Sequence, residues 1–197
     1  MSEAAPEPVA CAAVILVAMT AAGMAHALWM RSRWSAPLRI PLDGGLVWRG
    51  RRLLGDNKTV RGMVMLPLVA GIAYALLGLA REALPPSFAA GLWPWRSTEL
   101  FALGAWAGLC FMAGELPNSF YKRRLGIAPG TVPTRGRQRL LCLALDRIDS
   151  TAAMLLAMAW VAPLPLLTAL IVFALGPLVH FAFSAALYGL GIKARIA

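Results

Sequence analysis

Two stretches of the chain carry residue types that could do chemistry. The first is Gly114-Glu115-Leu116-Pro117-Asn118-Ser119-Phe120-Tyr121-Lys122-Arg123-Arg124-Leu125-Gly126-Ile127, in which a long apolar run gives way to a carboxylate, small or polar residues and three consecutive cations. The second is Asp146-Arg147-Ile148-Asp149, whose two acids lie three apart and therefore share one helix face. Hard oxygen ligands beside cations are how phosphates are held through a divalent metal such as Mg2+, which makes Glu115, Asp146 and Asp149 candidate ligands. Arg147, between the aspartates, could moderate their repulsion. Structural salt bridges to the chain's many arginines are the alternative explanation of the three acids.

A third stretch, Gly50 through Gly62, superficially resembles a phosphate-binding P-loop. It is not one, because Lys58-Thr59 comes two residues too late after Gly55 and no strand precedes it. Two glycines followed by Lys58, Thr59 and Arg61 just before a helix can still cradle a phosphate through amides and charge. A juxtamembrane stop signal touching anionic lipids is the competing explanation. His26, beside Trp29 in an apolar run, reads as a packed or interfacial histidine, whereas His180 shares a stripe with Ser184 and Tyr188 that could face a cavity. No Ser-His-Asp set with supporting glycines is present, so covalent nucleophilic catalysis is not expected.

These stretches must be positioned by helices in a membrane. Of 197 residues, 59% are apolar and 14% charged, against about 25% charged in soluble domains, and the mean hydropathy is +0.68. The sequence predicts an all-α integral membrane protein, one polytopic domain over residues 1–197 with about five spans near residues 9–30, 62–80, 98–114, 140–161 and 166–190. Two large basic loops separate them, and the second, from Glu115 to about Arg139, is expected to be largely irregular. Pro67 is tolerable near the first turns of its span, and Gly176-Pro177 suggests a kink. The loop from Arg81 to Glu99, with Trp93 and Trp95, suits an interfacial aromatic belt.

A formal charge of +10 would suggest nucleic acid in a soluble protein, but here it distributes by loop. Seventeen of the nineteen Lys and Arg fall in the two basic loops and the tail, leaving Arg81 and Arg96 for the opposite side. That asymmetry predicts an outside N-terminus and a cytoplasmic C-terminus, with both basic loops and any active site on the cytoplasmic side. No nucleic-acid partner is expected. Cys11, Cys110 and Cys142 lie at wide spacing in apolar stretches and read as packed thiols. The start lacks the basic region of a secretory signal, so the first span is expected to be retained.

The ordered set Pro41-x-Asp43, Gly55-Asp56-Asn57-Lys58-Thr59-x-Arg61-Gly62, Gly114-Glu115-x-x-x-Ser119-Phe120-x-Lys122-Arg123-Arg124-Leu125-Gly126-Ile127, Asp146-x-x-Asp149 and Leu190-Gly191-Ile192-Lys193 resembles the CDP-archaeol synthase family across nearly the whole chain. Ser119, Lys122-Arg123 and Asp146-Arg147-x-Asp149 also resemble the signature of phosphatidate cytidylyltransferases. The resemblance implies a Mg2+-dependent transfer of a cytidylyl group from CTP to a lipid phosphate, ester- or ether-linked, with release of pyrophosphate. It implies Asp56, Asn57, Lys58, Thr59 and Arg61 in the nucleotide-binding loop, Ser119, Lys122 and Arg123 in the phosphate grip, and Asp146 and Asp149 on the metal. Glu115 stands where the family suggests Asp, Asn57 where Gly is common, and no Pro-Trp follows Lys193. A non-catalytic scaffold that binds anionic lipids through the basic loops is the reading from a different class, and it has no need of the three acids at the membrane edge. A small transporter would call for repeated halves, which are absent from the sequence.

Overall fold

The computed structural model describes residues 6–129, 131, 133 and 136–189, with the backbone alone at Arg147, Ser184 and Leu187. The Leu190–Lys193 motif and the basic tail therefore lie outside the described residues, as do the side chains that the sequence assigned to Arg147 and Ser184. Five long helices dominate: α1 (Pro8–Arg31), α2 (Val60–Leu79), α4 (Ser97–Arg124), α5 (Gly136–Val161) and α6 (Leu166–Gly189), with a short α3 (Pro86–Ala90) between α2 and α4. Four of the long helices, α1, α2, α4 and α6, are long and apolar enough to cross a membrane. The protein is an integral membrane protein of the all-α class. The fifth long helix, α5, carries Asp146, Arg147 and Asp149 in its length.

Helices α1 and α4 start for local reasons. The Glu7 carboxylate accepts from the amides of Val9 and Ala10 at 3.1 and 2.6 Å, and Pro8 occupies the first turn, where its missing N–H costs nothing. Glu99 accepts from the Arg96 amide at 2.7 Å, closing a capping box at the start of α4. In lipid, apolar surface alone does not drive helices together, so close packing must. On α4, Gly104 and Gly108 supply it: a Cβ on either would come within 2.6 and 2.9 Å of the α2 carbonyls of Ala70 and Leu66.

The core gathers at the end of the bundle away from the basic loops. Cys11, Ile15, Tyr74, Trp93, Met158 and Val172 are buried there, and Thr168 Oγ1 donates to Pro8 O at 2.9 Å, tying α6 to α1. Toward the basic end the packing loosens. No α1 residue beyond Ala22 is buried, nor any described α6 side chain beyond Val172.

Three expectations are corrected. The third span was expected to end near residue 114, but α4 continues through Pro117 to Arg124, so the Glu115–Arg124 stretch is helical rather than loop. One proline removes one ladder bond, and the contacts of Lys122 with Asp146 and of Arg123 and Arg124 with the first basic loop offset that loss. Trp93 is packed inside the bundle rather than turned outward as a belt residue would be: it is 1% exposed, and its indole N–H donates to Pro163 O in the turn between α5 and α6. The first basic loop, where no strand was expected ahead of Lys58-Thr59, holds a 3-10 turn over Arg33–Leu38 and a small antiparallel hairpin of β1 (Val47–Trp48) and β2 (Arg51–Arg52).

Candidate active site

The first basic loop is folded around one acid. Asp43 is 5% exposed, and its carboxylate accepts from Arg52 and from the amides of Gly45, Leu54 and Gly55. Burial alone would raise its pKa, but the Arg52 guanidinium and the three amides outweigh burial and hold the carboxyl well below the usual carboxylate range. Gly55 sits at φ +100°, with no room for a Cβ against Pro129 and the Arg123 guanidinium. Helix α4 grips the same loop from the other side. Arg123 donates to Leu54 O at 3.2 Å, and Arg124 donates to the carbonyls of Trp48, Arg51 and Arg52 while stacking against the Trp48 and Phe120 rings. Asn57, Lys58 and Thr59 are thereby fixed at the entrance to α2.

Helices α4 and α5 meet closely at Gly114, where a Cβ would lie 2.9 Å from Asp149 O and 2.5 Å from the Ala153 methyl. This contact brings the acids of α5 onto the cations of α4. Lys122 Nζ pairs with both oxygens of Asp146, and Asn118 Nδ2 donates to Asp146 Oδ1 at 2.7 Å and to Asp149 Oδ2 at 2.8 Å. One donor serving both acids confirms that they share a face. Across α2 and α4, Lys58 Nζ pairs with Glu115 Oε2, and Ser150 Oγ donates toward Glu115 Oε1 at 3.4 Å. Glu115 and Asp146 thus sit in salt bridges, with lysines in place of the arginines expected, while Asp149 is held by Asn118 and Ser150.

A cavity of about 500 Å³ opens between the loosened basic halves of α1 and α6. Its deep wall is apolar, formed by Ile15, Leu16, Met19, Leu66, Phe111, Met154 and Val172, and its mouth carries His26, Arg31, Asn57, Lys58, Thr59, Glu115, Asp146 and His180. Of the residues expected at a site, Asn57, Lys58, Thr59, Glu115 and Asp146 thus stand on the wall. Lys122 reaches the mouth through its pair with Asp146, and Asp149 through Asn118. Asp56 pairs instead with Arg52 and is largely exposed, Ser119 is buried within α4, and Arg123 faces the loop. Arg61 is on the first turn of α2 and is not on the cavity wall. The amide of Val60 donates to Ile40 O, so the first amide of α2 is not available to a phosphate.

Three contributors were not singled out from the sequence: Asp43 as organiser of the loop, Asn118 as bridge between the aspartates, and Ser150 between Glu115 and Asp149. Asp43 carried a signal, an acid two residues past a proline and just ahead of two glycines. Asn118 lies four residues before Lys122 and therefore on the same helix face, a signal that the expectation of a loop concealed.

The donors suit a hard cation. Among the described residues no three His, Cys, Asp or Glu side chains converge, since Glu115 is drawn to Lys58. Asp146 and Asp149 do converge, and the carbonyl oxygen of the Asn118 side chain beside them is buried without a partner. Two carboxylates with an amide oxygen, the rest supplied by water and substrate phosphates, is a donor set typical of magnesium.

Comparison with known proteins gives the family of the chain. A family model described as CarS-like, CDP-archaeol synthase, matches residues 39–196. The CDP-archaeol synthase of Halorubrum lacusprofundi is 35% identical over 164 residues, spanning 78% of this chain and 81% of that protein. The CDP-archaeol synthase of Methanosphaerula palustris is 34% identical over 157 residues, spanning 78% and 87%. A solved structure described as an intramembrane enzyme for archaeal membrane lipids biosynthesis superposes with a TM-score of 0.57 at 26% identity, covering 86% of this chain and 89% of that one. Matched by the family model over residues 39–196 and by relatives 35% and 34% identical to it, the chain belongs to the CDP-archaeol synthase family.

Proposed function

We propose that this protein is a CTP-dependent lipid cytidylyltransferase that converts a lipid phosphate and CTP into a CDP-lipid and pyrophosphate. The observation that carries the proposal is one cavity with two chemistries: an apolar wall deep between the helices and a mouth carrying Lys58 with the carboxylates of Glu115 and Asp146. A lipid phosphate presents the same division. Its tails fit the apolar wall and its headgroup the mouth, while CTP comes from the aqueous side over Asn57, Lys58 and Thr59. Family membership points to an archaeal-type ether lipid phosphate ahead of phosphatidate.

The transfer needs no protein nucleophile. An oxygen of the lipid phosphate attacks the α-phosphorus of CTP in line, a new P–O bond forms, and the α–β anhydride bond breaks with its electron pair leaving on pyrophosphate. Lys58 and Lys122 hold phosphate oxygens and offset the charge that shifts onto the leaving group, and the loop built on Asp43 fixes Lys58 in place. Asp146 and Asp149 would hold magnesium, with Glu115 joining once a phosphate draws Lys58 away. When bound there, the metal neutralises phosphate charge and stabilises the departing pyrophosphate. The excess of Lys and Arg in the basic loops supports a mouth on the cytoplasmic side, where CTP is available, with the N-terminus outside.

The test is incubation of purified protein in detergent with CTP, magnesium and either an isoprenoid ether lipid phosphate or phosphatidate. CDP-lipid with equimolar pyrophosphate is expected, more from the ether lipid. Binding of both lipids with no pyrophosphate release from either would return the protein to a scaffold.

A further inference from the structure

We infer that Asn118 is an oxygen ligand of the divalent cation, held in reserve by a rotation of its side-chain amide; the inference rests on the magnesium site proposed above. The amide has two ends in unequal circumstances. Its NH2 group lies between the two acids, donating to Asp146 Oδ1 at 2.7 Å and Asp149 Oδ2 at 2.8 Å, while its oxygen is buried with no hydrogen-bond partner among the described residues. Buried polar atoms are nearly always paired, so a lone one beside two carboxylates calls for an explanation.

The explanation is that Asn118 serves two states. Without a cation, two carboxylates turned toward one another repel, and a shared N–H donor satisfies both. A cation entering between them cannot coexist with that NH2 group, whose hydrogens carry positive charge. Turning the amide end over end exchanges the two atoms and presents the oxygen to the metal. The orphaned oxygen and the shared nitrogen are then two halves of one device. Lys122 contributes in the same sense, since its ammonium occupies Asp146 until a phosphate competes for it.

Direct binding of Mn2+ by the full-length detergent-solubilised protein, read from loss of the free-ion paramagnetic resonance signal, tests this without turnover or CTP. Wild type is expected to bind. Asn118→Ala should bind roughly 10–100-fold more weakly, the range seen when groups around a metal are removed. Asn118→Asp, which keeps an oxygen and loses the obstructing NH2, should bind at least as tightly as wild type. Equal or tighter binding by the Ala variant would overturn the inference, because Asn118 would then be only a spacer that the metal is better without. Weakening by Asp as much as by Ala would overturn it too. Failure of wild type to bind at all would refute the metal site itself and this inference with it, a pattern distinct from the other two. Circular dichroism and gel filtration of each variant establish that it is folded.

Discussion

Replacing Lys122 by Ala should separate what this side chain does for the fold from what it does for the reaction. Its ammonium pairs with Asp146 with both side chains shielded, at 11% and 33% exposure. Breaking a fully buried pair from one side costs about 3–5 kcal/mol, whereas an exposed pair is worth about 0–1 kcal/mol. Asp146 keeps the Asn118 hydrogen bond and is one-third exposed, so the stability loss should lie between, at about 2 kcal/mol. For transfer, the variant loses a charged contact to a phosphate, about 1.5–3 kcal/mol, or roughly tenfold to more than a hundredfold in kcat/KM for CTP. The assay is CDP-lipid formation at varied CTP on equal amounts of folded protein, with thermal unfolding measured in parallel. Adding Asp146→Asn to the variant should recover stability, since the stranded carboxylate is gone, yet leave transfer impaired. If Lys122→Ala unfolds earlier but its folded fraction uses CTP normally, the lysine is a structural counter-ion and the phosphate role is wrong.

Asp149→Asn keeps size and hydrogen bonding but removes charge, so the protein should insert and fold while transfer falls by several orders of magnitude with partial rescue by excess magnesium; near-normal turnover would exclude Asp149 as a metal ligand. Asp43→Asn loses a charged acceptor of Arg52 and three amides and should cost about 3 kcal/mol of loop stability, seen as a changed emission of Trp48, which stacks on Phe120 in the wild type. Because the folded Asp43 carboxyl is held below its ordinary value of 3.8, its contribution is complete above that pH and is lost only as pH falls further through the folded value. Trp48 emission should therefore hold steady from pH 7 to about pH 4 in the wild type, and a transition near pH 5–6 would refute the assignment. Gly114→Val should separate α4 from α5 and lower both stability and transfer. A single cysteine at position 45, in a background lacking Cys11, Cys110 and Cys142, should be labelled only from the cytoplasmic side.

Hydropathy made the helices legible, because a run of apolar residues long enough to span lipid has few other folded forms. The end of α4 was not legible. Pro117 and the polar stretch after Ala113 have the composition of a loop, and only the tertiary contacts of Lys122 with α5 and of Arg123 and Arg124 with the first basic loop show why the helix continues. Lys122 with Asp146 and Lys58 with Glu115 were visible as residue types but not as partners, since pairing across α2, α4 and α5 depends on the close approach at Gly114 and on Gly55. Asp56 was named through the family motif, and its pairing with Arg52 four residues earlier was not visible in the sequence. Trp93 looked interfacial because proline-rich loops in membrane proteins often are; its indole found a buried carbonyl instead.

The central claim is that CTP is cleaved between its α- and β-phosphorus by a lipid phosphate at this cavity mouth. Parallel reactions with CTP labelled at the α-phosphorus and CTP labelled at the γ-phosphorus test it most directly. The α label should appear in the lipid fraction in proportion to ether lipid phosphate consumed, with the γ label recovered wholly as pyrophosphate. Transfer of the γ label to lipid would make the protein a lipid kinase, and retention of both labels in CTP, with lipid phosphate present and the protein folded, would leave it without the activity assigned to it.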